Sequence, residues 1–499
     1  MSHRTAVIVG VGQVANKDPD RILHPDDLLH GALDLALADA GHDVRSRIDG
    51  LYVTPPTHDD APTSLARLRT RSGLHQGRGE IMRWSGSGPQ EGLNHAVSEI
   101  VAGRLEAAVL VAGVGDASAR RARQAGLEPP GRSTGLEQNT EVDPDVPRQP
   151  NRQGPEVETA AGIRAVGTSF AMVESVFAAE AGRSLDEQRI WLGGLMAPFT
   201  SAAARRPNVA WFPNPRQAEE ISAVSVANRL VNEPYTKVMN AFPTVDLAAS
   251  VLVTTTEVAR ACGIPEGQWV YPWVGTTCHE PAPPSERPFI HRSGGLSAAL
   301  ERALISARLN VEDIDLFDFY SCFPSAVQMS AAAIGLDPLD PRGLTVTGGL
   351  PYFGGPGAAY VCHAIVSMVE ECRTRPDGVG MVVGLGGLIS HFAAGIYSGA
   401  EPPQPWRFDG CSGVEAELDQ KRVPVDLARE GVAEVEAMTV AHNRTGVVNA
   451  PVIVKFGDGT RSGAQPRSRE MARDLSGINL VGSKVRIGLE AGGPRFEPI

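Results

Sequence analysis

The segment ALDLALADAGHDV (32–44) lies over ALERALISARLNV (299–311) without a gap. Ala, Leu, Ala, Leu, Ala and Val recur in register, with Asp34 over Glu301 and Asp43 over Asn310. Apolar residues fall at helical spacing in both, and each is followed by an apolar strand pattern, IDGLYV or IDLFDF. The parallel continues in AAVLVAGVGDAS (107–118) and VGMVVGLGGLIS (379–390), each a buried-strand pattern ending in glycines. A chain that repeats itself this way is constrained to two duplicated α/β halves. Strands alternating with helices predict largely parallel sheets with helices on both faces.

Breaks in composition divide the rest. Residues 1–118 with 245–267 read as the first half, and 268–402 as the second. Residues 119–244 form an inserted loop domain, of which 119–160 are polar and turn-rich. Helical patterns follow over about 165–205 and 217–230. After EPPQPWRFDG, residues 410–499 carry β-rich runs joined by turns such as NRTG and GDG, which predict a small antiparallel β-barrel.

A formal charge of −12 argues against a nucleic-acid or anionic-membrane partner. No apolar run approaches the roughly 18 residues of a membrane span. The opening MSHRTAVIVGVGQV lacks a signal-peptide pattern, so a cytoplasmic location is expected. Six cysteines, at 262, 278, 322, 362, 372 and 411, have no CxxC spacing and read as reduced thiols. Twelve histidines show no ligand spacing, so no metal is expected. Gly10-x-Gly12-x-x-Ala15 imitates a dinucleotide fingerprint, but NKDPDRILHPDD delays the helix which that motif needs.

The duplicated halves, the insertion and three motifs resemble the thiolase superfamily, in its sterol-carrier-protein thiolase branch and the bacterial type-1 thiolase-like proteins often labelled acetyl-CoA acetyltransferases. The motifs are NRLVNEPYTKVMNAFPTVDLAAS (228–250), FDFYSCFPSAVQ (317–328) and TVTGGLPYFGGPG (345–357). The resemblance spans roughly residues 4–400. It implies a five-layered αβαβα thiolase fold, with the β-barrel as an addition. It also implies four loops meeting at one pocket, where 3-ketoacyl-CoA is cleaved or formed. The nucleophilic cysteine belongs at a helix N-terminus, which favours thiolate; Ser87 in RWSGSGPQEGL holds that place, and the first 261 residues contain no cysteine. The Gly-His-Pro histidine, the general base, is replaced by Gly355 in Gly354-Gly355-Pro356. Tyr320 stands where an oxyanion-hole Asn or His belongs, and Gly384 where the acid/base cysteine of Cys-x-Gly belongs. Thiolase chemistry is therefore not expected.

The expected function is binding of an acyl-CoA thioester, with coenzyme A as ligand, no permanent cofactor and a homo-oligomer possible. One alternative is an acyl-CoA retro-aldolase or acyltransferase using Tyr320, Tyr360 or His391; another is a catalytically silent scaffold. Tyr352 lies in the same reshaped loops. His363 falls on one helix face with Tyr360, so the two could touch. Cys322 reads as packed, and Asp246 and Lys237 as ordering the insertion. GGLPYFGGPGAAY (348–360) reads as pocket floor stripped of its base. Ser87, Tyr320, Gly355, Gly384 and His391 are expected around one cavity.

Overall fold

Ala107–Gly115 and Asp246–Thr255 are buried at every residue, which an apolar strand covered on both faces requires. They lie at the centre of the computed structural model, which describes residues 4–41, 44–56, 61–74, 77–131 and 155–499. Residues 132–154 of the insertion, and His42 and Asp43 of the repeat, lie outside the described residues. The first sheet runs in the order Ala6–Ala15, Asp246–Thr255, Ala107–Gly115, Ile48–Thr54, Arg78–Ile81. The second runs Arg407–Asp409, Tyr271–His279, His391–Ser398, Val379–Gly386, Leu316–Phe319. Four consecutive strands correspond between them, and the repeated segments occupy matching places. Helices Pro25–Ala40 and Gly294–Ala307 cover the outer faces, and helices Gly88–Val101 and Tyr360–Thr374 pack between the sheets. Five layers result.

In each sheet four of the five strands run the same way, in keeping with the sequence-based expectation, and one runs against them. Asp246–Thr255 runs antiparallel to both neighbours, and so does His391–Ser398. His391–Ser398 follows Val379–Gly386 through the turn 387–390, and so tight a connection can only reverse the chain. The predicted helix over 217–230 also shrinks to Ala218–Ser222, with a strand at Leu230–Asn232. The Gly10/Gly12 motif has a packing role. A Cβ on either would lie 2.2 or 2.4 Å from the carbonyl oxygens of Ala36 and Ala32, so these glycines let helix Pro25–Ala40 rest on the strand.

Five strands between Gly431 and Pro498 close into a barrel with its own core of Val435, Val452, Val454, Phe456 and Phe496. Four pairings are antiparallel, but Arg461–Pro466 and Gly493–Pro498 pair in parallel. The all-antiparallel expectation fails for a topological reason. Directions cannot alternate around a closed ring with an odd number of strands.

The barrel is bound closely to the inserted segment. Met438 N donates to Ser175 Oγ (3.0 Å), Gln465 Nε2 to Ala160 O (3.0 Å) and Asn479 Nδ2 to Ser175 O (2.9 Å). Glu233 accepts from Gly477 N (2.6 Å) and pairs with His442 (2.6 Å). Arg461, 1% exposed, pairs with Glu436 and donates to the carbonyls of Ser285 (3.0 Å) and Arg287. Replacing Arg461 with Ala strands these acceptors, at a cost of about 3 kcal/mol. Arg461→Ala should lower Tm and speed proteolysis between residues 399 and 430. An unchanged digestion rate and Tm would show that this arginine does not hold the barrel.

Candidate functional site

Helix Gly88–Val101 begins Gly-Pro, which supplies a proline in the first turn and no competing side-chain cap. Its N-cap, Ser87, is fully buried. Ser87 Oγ donates to Glu91 Oε1 (2.6 Å) and lies 3.0 Å from Ser85 Oγ. From there a polar chain runs outward. Glu91 Oε2 pairs with Arg83 Nε (3.3 Å), Arg83 donates to His391 Nε2 (2.9 Å), and His391 Nδ1 meets Ser390 Oγ (3.1 Å). Arginine can only donate, so neutral His391 accepts at Nε2 and carries its proton on Nδ1, towards Ser390. Thus His391 does not act as base for Ser390 in this arrangement. The sequence reading missed Glu91 and Arg83, although Ser87 and Glu91 stand one helical turn apart.

Two of the replaced family positions meet face to face. A Cβ on Gly384 would lie 2.9 Å from Ser87 Cα, and one on Gly86 would lie 2.7 Å from the Tyr320 hydroxyl. Gly384 therefore packs against Ser87, and Tyr320 against the adjoining Gly86. Gly355 is placed apart from them. Its nearest neighbours are Ala241 and Phe242, and its N–H donates to Phe242 O (2.9 Å). His391 is linked to Ser87 through Arg83 and Glu91. Of the five positions, His391 alone lines either of the two cavities described next.

Tyr360 is held by its hydroxyl, which donates to Asp318 Oδ1 (3.0 Å) and sits 2.5 Å from Thr347 Oγ1. Tyr320 packs edge-on against it, 5.7 Å between ring centroids. Burial raises the pKa of both phenols far above the ordinary tyrosine range, so each stays protonated. Cys322 is buried and its thiol is likewise pushed up by burial. His363 does not reach Tyr360 but shares Phe353 with it; its Nδ1 meets Gln13 Oε1 (2.9 Å), and burial lowers its pKa to about 3. Asp246 accepts from Asn16, Ser118 and Arg121 at 2.7–3.0 Å, a structural knot beneath the insertion.

Open space lies to either side of Ala165. One cavity, about 560 Å³, is bounded by Glu158, Thr159, Val166, Ser169, Ser390 and His391. Burial raises the Glu158 carboxyl, partly offset by Ser285 Oγ at 2.7 Å. Between the lining residues Leu388 and Ser390 stands buried Ile389, in the left-handed region at φ 56°, whose carbonyl accepts from fully buried Arg287 (2.6 Å). The second cavity, about 520 Å³, is walled by Phe212, Phe242, Phe323 and Val238, with Lys237 and Arg216 beside them. Tyr352 lines it too, 2% exposed, with a hydroxyl that has no hydrogen-bond partner among the described residues. Lys237 thus borders open space instead of only ordering the insertion.

No protein-family model matches the sequence, and no curated protein matches it. Solved structures do. A monomeric SCP2-thiolase-like protein type 1 from Mycobacterium smegmatis superposes with a TM-score of 0.83 over 99% of both chains, at 27% identity. The Ltp2-ChsH2(DUF35) aldolase gives 0.59 at 16% identity, over 79% of this chain and 97% of its own. Acat5 thiolase from Ascaris suum, in complex with coenzyme A, gives 0.54 at 13% identity, over 79% and 99%. The last two share the fold alone; the first matches barrel and core together. With the motifs at 228–250, 317–328 and 345–357, this likeness places the chain in the thiolase superfamily, in its sterol-carrier-protein-like branch.

Proposed function

We propose that the protein binds an acyl-CoA thioester and does not catalyse thiolytic cleavage or Claisen condensation. The observation that carries the second half is the filled centre. Ser87 is sealed from solvent, its hydroxyl is committed to Glu91, and Gly384 lies against its Cα. Attack on a thioester needs a nucleophile about 3 Å from the carbonyl carbon, and no reacting atom fits there. The binding half rests on the cavity beside Ala165. Its aromatic walls suit the apolar parts of a thioester, and Lys237 and Arg216 offer cationic partners for phosphate. Tyr352 adds one buried donor for a ligand oxygen. The related Ascaris suum structure holding coenzyme A supports the choice of ligand class. A tyrosine-based retro-aldol reaction is less well supported, because Asp318 and Thr347 already occupy the Tyr360 hydroxyl.

Two experiments test this reading. In a thermal-shift panel, coenzyme A or at least one acyl-CoA should raise Tm by mass action, about 2.7 kcal/mol at one hundred times Kd. Lys237→Ala should weaken that ligand several-fold, less so at high salt, and Tyr352→Phe by about fivefold, the worth of one hydrogen bond. A panel in which no coenzyme A thioester shifts Tm at millimolar concentration sinks the proposal and favours a scaffold. For the chemistry, the triple variant Ser87→Cys, Gly355→His, Gly384→Cys should remain inert towards acetoacetyl-CoA, because a Cβ at 384 collides with residue 87. Turnover by that variant would refute the filled-centre argument.

A further inference from the structure

Two of the six cysteines, far apart in sequence, come together at the edge of the second sheet. The short strand Arg407–Asp409 pairs in parallel with Tyr271–His279, in the register Arg407 with Val274, Phe408 with Gly275 and Asp409 with Thr276. Two positions further along each chain stand Cys411 and Cys278. The ladder ends at Asp409 and Thr276, so the two cysteines flank its end, at an edge where neighbouring strands lie about 4.8 Å apart, a spacing within the Cα window that a disulfide spans. The two thiols interact, Cys278 being raised and Cys411 lowered by the other. Both belong to one buried apolar cluster, at 0% and 1% exposure.

Cys411 is shielded only thinly. Gly410 and Ser412 on either side are exposed, and so is most of the following helix, Val414–Asp419. Cys411 itself sits in the left-handed region at φ 52°, with its N–H tied to Asp409 Oδ1 (2.8 Å). A three-residue edge strand and an exposed turn are the kind of structure that opens locally. Asp409 also pairs with Arg302 (2.9 Å), so a guanidinium stands close to the two sulfurs. The neighbouring Cys278 thiol is the chief influence lowering the Cys411 pKa, aided by Arg302 against burial and the Asp409 and Glu415 carboxylates.

We propose that Cys278 and Cys411 are a redox-active dithiol that closes to a disulfide under a peroxide or a small-molecule disulfide oxidant. With hydrogen peroxide, the Cys411 thiolate attacks one oxygen, the O–O bond breaks and hydroxide leaves, giving the sulfenic acid. The Cys278 thiol then attacks the Cys411 sulfur, the S–O bond breaks, and the departing hydroxide takes up the thiol proton as water. Two thiols lose two electrons, and one peroxide becomes two waters. The link ties the connection between core and barrel to the second sheet. It also lies one residue from His279, which pairs with Glu415 (3.1 Å) and packs edge-on against His391 (4.8 Å) at the cavity rim. Oxidation therefore stiffens the segment that supports His391.

The test uses the whole chain. Reduced protein is exposed to hydrogen peroxide or to oxidised glutathione, unfolded, alkylated with N-ethylmaleimide and weighed, then digested. Four of the six cysteines should be alkylated, with one linked peptide pair carrying Cys278 and Cys411. Reduction should restore all six, and the oxidised form should melt a few degrees higher. Cys411→Ser and Cys278→Ala should each abolish the linked pair; the digest of the unsubstituted protein gives the answer even if either variant folds poorly. Six alkylated cysteines after oxidant, or a linked pair joining other positions, overturns the proposal.

Discussion

The two helices between the sheets are buried along most of their length, and the rest of the molecule accommodates that constraint. The polar groups on their buried faces need partners inside the protein. Helix Gly88–Val101 meets this with Gln90, which donates to Asn94 Oδ1 (2.8 Å) and accepts from the Tyr397 hydroxyl (2.8 Å). Asn94 in turn donates to Thr276 O (3.1 Å) on the second sheet. The helix is thus tied by side chains to a sheet in the other half of the chain. Its N-terminus is pressed on the strand end at Gly384 and Gly386, where a Cβ would meet Ser87 Cα or Ser85 Oγ. Glycine is what allows the approach.

That approach explains the character of the centre. The helix N-terminus still concentrates N–H groups and positive dipole at Ser87, yet the hydroxyl there faces Glu91 and packed backbone. The two cavities described above lie to both sides of Ala165, and Ser87 lines neither. The polar chain through Glu91, Arg83 and His391 links the sealed position to one of those cavities without opening it.

The barrel is part of the same arrangement. It touches the insertion beside the cavity that Glu158 and His391 share, and Gly463 rests directly on Val157 O, where a Cβ would come within 2.1 Å. Arg461 and Glu233 convert what would be isolated buried charges into docking contacts, each with several hydrogen bonds. Movement of the barrel would consequently be felt by the segment 155–169.

Much of this was legible in the sequence, because duplication and motif are local properties. The repeat at 32–44 and 299–311 predicts matching helices, and the structure has them at Pro25–Ala40 and Gly294–Ala307. That Ser87, Gly355 and Gly384 stand at the motif positions needs no coordinates. Strand direction did need them: Asp246–Thr255 returns from a long insertion, and nothing in its own residues says which way it enters the sheet. The same holds for Tyr320, whose family position was readable but whose packing against Gly86 was not. Arg83 and His391 are joined across 308 positions, and Cys278 and Cys411 by a ladder of three pairs. The sequence by itself determined most of the helices and strands and which residues stand at the motif positions, since both depend on residue identity and short-range spacing. Only the tertiary structure decided that Ser87 packs on Gly384 and that cavities lie beside Ala165, since both depend on how closely distant backbones approach.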